Sequence, residues 1–196
     1  MSHKTTPRMK ERNGLIFLLS TSFLLPYQYF STTVEKLSLE DLVHKSSRIV
    51  VGTCVSTESR WNGKNTLILT TSTVEISDQI KGETDGVIRV VTVGGTINGI
   101  TQTVSGMPQF ESGEEVILFL EPSKNTGWQP LGLAQGKLRI TKNRITGEKE
   151  VFHSLSGLQL YDPSTHTIST QERPALVPLR LMMERIKRLA RTDSRQ

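Results

Sequence analysis

The 196-residue sequence predicts a mainly β fold, namely a small antiparallel barrel with a short N-terminal helix and a C-terminal amphipathic helix. Three observations lead to this prediction. Short, β-branched apolar runs recur from residue 48 onward, and turn residues separate these runs at near-regular spacing. No helical pattern lies between the runs until the C-terminal segment. A small barrel or a sandwich is therefore favoured over an α/β fold.

Composition narrows the class of protein. The length suits one domain with tails. With 35% hydrophobic and 22% charged residues, the chain can bury a core but does not fit a multispan membrane protein. The single cysteine, Cys54, excludes a disulfide framework and a Cys-based zinc cluster. Stability must therefore come from packing.

Residues 1–33 have the pattern of an export signal. The basic side chains Lys4, Arg8, Lys10 and Arg12 precede an apolar run over 15–30, which Pro26 interrupts. The run is shorter than the roughly 20 apolar residues of a membrane-spanning helix. Two outcomes stay open: cleavage after Thr33, or retention as a membrane anchor. Either one places the domain outside the cytoplasm, where it is periplasmic, secreted or anchored to the membrane.

A short helix is predicted over 38–46. Ser38 and Asp41 form an acidic variant of the capping box, which marks a helix N-terminus. The apolar face of this helix is formed by Leu39, Leu42 and Val43. His44 falls on the polar side and is interpreted as a surface residue.

The β-barrel domain is predicted to span 34–160. Its expected strands and strand-like elements cover 49–56, 66–80, 87–93, 97–104, 114–122, 128–133, 137–141 and 150–153. The run over 66–80 alternates faces along its whole length, which describes one long, bent strand. Turn chemistry separates the strands, for example Asn62-Gly63 and Gly94-Gly95.

The C-terminal part is predicted to hold a linker and a helix. Residues 161–175 are rich in Thr, Ser and Pro and are taken as a linker or arm. Over 176–192, apolar residues step by three and four between basic ones, which indicates an amphipathic basic helix. The favoured interpretation is that Leu179, Met183 and Ile186 pack on the domain. The alternative is contact with a membrane surface or a partner groove.

The net charge of +5 comes from the two ends of the chain. Residues 34–179 carry 14 basic and 16 acidic side chains, whereas residues 180–196 carry six basic and two acidic ones. The body therefore lacks the clustered basic face that phosphate neutralisation requires. Nucleic-acid binding by the domain is not expected.

No catalytic, cofactor or metal site is predicted. The four histidines, His3, His44, His153 and His166, lack metal-ligand spacing, and no nucleophile or phosphate-loop motif is present. Cys54 lies in an apolar strand and is interpreted as a buried small hydrophobe. The acidic cluster of Glu111, Glu114 and Glu115 is interpreted as a turn that protects the following hydrophobic strand from aggregation, rather than as a calcium site.

Partner-binding residues are predicted in three loops. Gly94, Gly95 and Thr96 could let backbone N–H groups approach a ligand, although a sharp turn or bulge explains them better. Trp61 and Trp128 lie in loops beside glycines. They serve either as lids of the barrel or as anchors for a partner, and the sequence does not choose between these roles.

Six segments between residues 37 and 160 carry a family resemblance. They are LEDLV (39–43), RIVVGT (48–53), VEISDQIKG (74–82), GGT (94–96), FESGEEVILFL (110–120) and GLAQGK (132–137). Together they resemble uncharacterised exported bacterial proteins. The strand pattern in turn resembles the OB-fold of netrin-like modules and of the tissue inhibitors of metalloproteinases. The second resemblance is one of pattern only.

The resemblance implies an OB-fold barrel that binds another protein. In the metalloproteinase inhibitors, a cysteine at the mature N-terminus chelates the zinc of the protease. Here the mature start would be Val34 and Cys54 lies inside a strand, so that device is not carried over. The favoured function is an exported, non-enzymatic binding module whose partner is another protein, such as a secreted protease. The alternative is a cell-envelope hydrolase with an unrecognised site.

Overall fold

The computed structural model describes residues 32–83, 85–124, 127–170 and 175–193. The strands are β1 (Thr32–Glu35), β2 (Arg48–Trp61), β3 (Ile68–Lys81), β4 (Val87–Val93), β5 (Gly95–Ile97), β6 (Ile100–Gln102), β7 (Glu115–Pro122), β8 (Trp128–Pro130), β9 (Lys137–Lys142), β10 (Lys149–Phe152), β11 (Leu158–Asp162), β12 (Thr167–Thr170) and β13 (Leu176–Pro178). The α-helices are α1 (Leu39–Lys45) and α2 (Leu179–Asp193), and Leu133–Gly136 forms a 3-10 helix. The mainly β class with two helices is confirmed. The predicted export signal lies outside the described residues, apart from Thr32 and Thr33.

The main sheet has the strand order β13-β10-β9-β7-β2-β3-β4-β8. Its pairs are antiparallel except β4 with β8. Strand β8 also pairs with the last residues of β7, whereas the first half of β7 pairs with β9. The sheet is therefore partly closed. The finer assignment to an OB-fold stays a prediction.

Both faces of the central strands are buried. In β2, Ile49 and Val51 belong to a cluster covered by α1 and α2, whereas Val50 and Cys54 belong to a cluster enclosed by the sheet. In β7, Phe119 joins the first cluster and Leu118 the second. Side chains alternate across a strand, so a strand covered on both faces reads as a continuous apolar run. This explains why residues 49–51 and 116–120 are uninterrupted runs of apolar residues.

Helix α1 forms where the capping box predicts it. The Ser38 hydroxyl accepts a hydrogen bond from the Asp41 N–H at 3.0 Å, and the Asp41 carboxylate accepts one from the Ser38 N–H at 3.0 Å. The Ser38 hydroxyl also donates a hydrogen bond of 2.7 Å to the Asp41 carboxylate, and this bond, together with the one from the Ser38 N–H, holds the pKa of Asp41 below its ordinary value. Leu42 and Val43 are buried. His44 lies at the surface, and its Nδ1 is 2.6 Å from an Asp193 carboxylate oxygen at the end of α2.

Helix α2 packs on the sheet, as the favoured interpretation of its sequence expects. Ile186 is fully buried and Ala190 nearly so, in the cluster that also holds Phe119. Leu179 and Met183 are partly buried against the same cluster. The prediction that this helix packs on the domain is confirmed.

The structure differs from the predicted linker over 161–175. Residues 161 and 162 end β11, and β12 (Thr167–Thr170) pairs with β11 in an antiparallel hairpin. On its other side β11 pairs in parallel with β1, which makes a separate three-stranded sheet. All four residues of β12 are exposed, so no alternation of apolar and polar residues marks it as a strand. The proposed cleavage point after Thr33 falls inside β1.

Two further boundaries differ in detail. The element expected over 97–104 is a small hairpin of β5 and β6, which turns at Asn98 and Gly99 with positive φ angles of 49° and 80°. The C-terminal helix begins at Leu179 rather than at 176, because Leu176–Pro178 pairs with β10 as a short strand. Among the described helices, none is long and apolar enough to cross a membrane.

Candidate functional site

A cleft of about 710 Å³ opens between the segment that connects β6 to β7 and the segment that connects β10 to β11. Its lining consists of 103–109, Glu111, Glu114, Ala134, Lys137, Arg139, Phe152, Ser154, Ser156 and Gly157. The two connecting segments are tied together by the Ser105 hydroxyl, which donates a hydrogen bond of 2.6 Å to the Gly157 carbonyl. The volume lies in the range of ligand-binding clefts.

The alternation of β9 places its charged residues in the cleft. Leu138 and Ile140 point into the core, so Lys137 and Arg139 point to the opposite face. The acidic partners come from the turn ahead of β7, where Glu111 and Glu114 lie three residues apart. Two acidic and two basic side chains therefore meet on the cleft wall.

Glu114 and Lys137 form a buried ion pair. The Lys137 ammonium donates a hydrogen bond of 2.8 Å to the Glu114 carboxylate, and these two side chains are only 10% and 2% exposed. The ammonium also donates to the Gln109 carbonyl and lies 4.5 Å from the centre of the Phe110 ring. Burial lowers the pKa of Lys137, and the carboxylate opposes that shift. The charge of Lys137 is thus fully engaged within the domain.

Arg139 connects the buried pair to the rim of the cleft. Its Nε lies 3.3 Å from the other Glu114 carboxylate oxygen, and a terminal nitrogen donates a hydrogen bond of 2.9 Å to Glu111. Arg139 is partly exposed, and Glu111 is mostly exposed. A guanidinium has five N–H donors, so the cleft presents a planar cation whose outer carboxylate partner faces solvent.

The turn that carries the acidic residues is fixed to β2. The Gly113 N–H donates to the Cys54 carbonyl at 2.7 Å, and the Cys54 N–H donates to the Glu114 carbonyl at 2.9 Å. The Ser112 hydroxyl donates to the Val55 carbonyl at 3.0 Å. The two Cys54 bonds continue the β2–β7 pairing beyond Thr53 and Glu115, and the Val55 carbonyl lies where the β2–β3 register shifts between Cys54 and Ser56.

Cys54 is buried, as its sequence context predicts. Burial is the main cause that raises the pKa of its thiol, and the nearby Glu114 charge adds to the effect.

We therefore expect the native protein to react slowly with a maleimide, and to react rapidly once unfolded in urea, because only an accessible thiolate is nucleophilic. Mass spectrometry of labelled protein over time measures both rates. Equally rapid labelling of the native protein would revive a nucleophilic role for Cys54.

The predicted residues Gly94, Gly95 and Thr96 line a second, smaller cleft of about 190 Å³. It shares Thr103, Val104 and 107–109 with the lining of the larger cleft, so one connecting segment separates the two. Gly95 has a φ of 140°, and a Cβ there would lie 2.3 Å from the Thr70 hydroxyl oxygen. Glycine at this position thus allows β5 to cross closely over the β2–β3 hairpin.

The two tryptophans do not form one site. Trp61 is the last residue of β2, and Trp128 lies beside Arg48, the first residue of that strand, with the guanidinium carbon 4.2 Å from the ring centre. The two regions therefore lie at opposite ends of the 14-residue strand β2. Trp128 packs against the core cluster enclosed by the sheet. Trp61 lies at the end of the molecule that carries the β2–β3 turn, with Ile68 as its cross-strand partner.

The acidic cluster is divided among ion pairs. Glu111 and Glu114 pair with β9 as described, and Glu115 lies 2.6 Å from the Lys149 ammonium. Within the described ranges, no group of three His, Cys, Asp or Glu side chains is placed to hold a metal ion. The described histidines occupy three separate elements, α1 for His44, the segment after β10 for His153, and the β11–β12 turn for His166.

The sequence predictions missed the larger cleft. The available signal was a pair of acidic residues three apart before a strand, together with basic residues two apart on a later strand. Spacing shows that Lys137 and Arg139 share a face of their strand, but it does not show that β7 and β9 are neighbours. Only the sheet order supplies that information.

Comparisons with known proteins add no relative: no family model, no curated protein and no solved structure matches this chain.

Proposed function

We propose that this protein is an exported, non-enzymatic binding module that holds a segment of another protein in the larger cleft. The observation that carries the proposal is the cleft itself, with about 710 Å³ between two connecting segments and a wall whose buried charges are already paired. Because these buried charges neutralise one another, the cleft wall does not require an opposite charge from the ligand.

The lining suits a peptide segment. The connection over 103–109 runs along the cleft without forming a strand. The carbonyls of Val104, Gly106 and Gln109 and the N–H of Met107 are hydrogen-bonded within the domain, so a bound backbone would pair with other groups of this segment. Met107, Pro108 and Phe152 supply apolar surface beside them. Arg139 offers directional donors at the rim. A bound segment would thus find backbone, apolar and charged contacts in one place.

The proposed partner is an extracytoplasmic protein, and a secreted protease is the specific form of the proposal. Two sequence features support it: the basic and apolar pattern of residues 1–33, and the resemblance of the strand pattern to netrin-like and inhibitor OB-folds. The alternative, a cell-envelope hydrolase, has no particular contact among the described residues in its favour.

A peptide selection tests the cleft directly. Peptides selected from a random display library on the immobilised full chain should bind Ser154→Trp at least tenfold more weakly, because an indole on the exposed cleft rim occupies the ligand's space. Ile145→Trp is the matched control, since Ile145 is 96% exposed and does not line the cleft. Fluorescence anisotropy gives the affinities for the three proteins.

Two results would refute the peptide-binding proposal. One is a selection that yields no binding peptide, and the other is equal binding of the selected peptides to both tryptophan variants and the unmodified chain. The protease form has its own assay, namely whether the full chain slows peptide cleavage by secreted metalloproteases and serine proteases. Unchanged cleavage rates across both classes would remove that form while leaving the cleft proposal standing.

A further inference from the structure

The surface of α2 that faces away from the core is basic. Successive residues of an α-helix are about 100° apart, so Arg180, Leu181, Glu184, Arg188 and Arg191 lie on the side opposite Ile186. All five are exposed, whereas Ile186 is fully buried. We call this exposed set, with three arginines against one glutamate, the basic face.

Two arginines of the basic face lack ion-pair partners among the described residues. Arg180 pairs with Glu184 one turn along the helix, and Arg185, at the edge of the face, pairs with Glu40. Arg188 and Arg191 form no ion pair within the described parts of the chain. Their charges therefore remain available to an external anion, and Leu181, 46% exposed, lies beside them.

Contacts through α1 link β1, which follows the predicted apolar segment in the chain, to the last turn of α2. That segment ends at residue 30, and β1 begins at Thr32. Glu35, the last residue of β1, is 3.8 Å from the Lys45 ammonium at the end of α1. His44, next to Lys45, contacts Asp193 in the last turn of α2. A series of contacts thus connects β1 to the last turn of α2.

The sign of the net charge differs between the C-terminal segment that holds α2 and the residues before it. Residues 180–196 have a net charge of +4, whereas residues 34–179 have a net charge of −2. An anionic surface therefore attracts the end that carries α2 and repels the rest of the domain. Juxtamembrane arginines gain most from such attraction when the chain is already held at the membrane.

We propose that the basic face of α2 binds an anionic phospholipid surface and orients the domain on it. This inference is separate from the peptide cleft, which lies between other elements. It also reconciles the two interpretations of the helix: the Ile186 side packs on the sheet, and the opposite side contacts phosphate headgroups. The lipid is chosen over an acidic protein because the predicted apolar segment directly precedes β1 in the sequence, and β1 is linked through α1 to the last turn of α2.

Vesicle binding of the full chain tests the proposal. Flotation should show stronger binding to an equal mixture of phosphatidylcholine and phosphatidylglycerol than to phosphatidylcholine alone. The difference should disappear at about 1 M salt, where charges are screened beyond about 3 Å. Comparing the two lipids isolates the charge-dependent part of the binding, to which the basic residues of 1–33 also contribute, so the share that belongs to α2 is assigned by variants.

A pair of charge-matched variants locates the effect. Arg188→Gln with Arg191→Gln should lower the preference for the anionic vesicle by about 25-fold, roughly fivefold for each arginine. Arg60→Gln with Arg144→Gln removes the same charge from exposed positions elsewhere and should leave most of the preference. Equal losses in the two double variants, or no lipid preference in the unmodified chain, would overturn the proposal.

Chemical protection provides a readout that needs no variant. Phenylglyoxal modifies accessible arginines, and peptide mapping by mass spectrometry reports each site. Anionic vesicles should protect Arg188 and Arg191 while Arg60 and Arg144 stay reactive. Uniform protection of all four sites, or protection of none, would contradict an orientation set by α2. Binding to acidic peptides but not to anionic vesicles would assign the face to a protein partner and refute the lipid proposal.

Discussion

Replacing Lys137 with methionine is expected to lower the free energy of unfolding by about 3–5 kcal/mol. The substitution leaves the Glu114 carboxylate, 2% exposed, without its 2.8 Å partner. Arg139 remains 3.3 Å away and moderates the loss, which places the expected effect toward the lower end of that range. Urea unfolding followed by circular dichroism measures the change.

Lys149→Met is the matched control. Lys149 also pairs with a glutamate, Glu115 at 2.6 Å, but both side chains are well exposed. Exposed pairs contribute about 0–1 kcal/mol, so this variant should be close to the unmodified protein. The double variant Glu114→Leu with Lys137→Met should recover much of the lost stability, because it leaves no buried charge unpaired. Equal effects of Lys137→Met and Lys149→Met would show that burial of the cleft pair has no energetic importance.

Replacing Ile186 with alanine is expected to lower the free energy of unfolding by about 2–5 kcal/mol. Ile186 is fully buried between α2 and the sheet, in contact with the cluster that holds Phe119 and Val43. The loss combines the transfer of apolar atoms from the core with a cavity that its rigid neighbours fill poorly. For a protein of this length, the melting temperature should fall by roughly 5–15 °C, measured by scanning calorimetry.

The control for Ile186→Ala lies on the same helix. Leu181 is 46% exposed, and leucine and alanine have similar helix propensities, so Leu181→Ala should change stability by less than about 1 kcal/mol. A melting temperature that is unchanged in Ile186→Ala would mean that α2 is not packed on the sheet in solution. The proposed orientation of the basic face would then lose its structural basis.

The sequence predictions were most accurate for elements that depend on interactions between residues close together in the chain. The capping box at Ser38 and Asp41 placed α1 to within a residue, because the hydrogen bonds that begin a helix are local. The strand expected over 87–93 matches β4 for the same kind of reason, since alternating β-branched residues end at Gly94 and Gly95. The burial of Cys54 followed from its apolar neighbours.

The sequence predictions were wrong for segments whose conformation depends on pairing with another strand. Strand β12 is exposed at all four residues, and its pairing with β11 keeps it extended. Residues 176–178 fit the step of an amphipathic helix, yet pairing with β10 and the fixed φ of Pro178 make them a strand. In each case a partner distant in sequence decides between two locally acceptable conformations.

The sequence by itself determined the mainly β class, the two helices, the buried thiol and the concentration of positive charge at the chain ends, because periodicity, capping and composition are local or additive properties. The tertiary structure decided which strands are neighbours, and therefore that Glu114 meets Lys137 and that a cleft opens beside them. It also decided which side of α2 is covered, leaving Arg188 and Arg191 outward. These features depend on contacts between residues far apart in the chain, which arise only when the sheet has assembled.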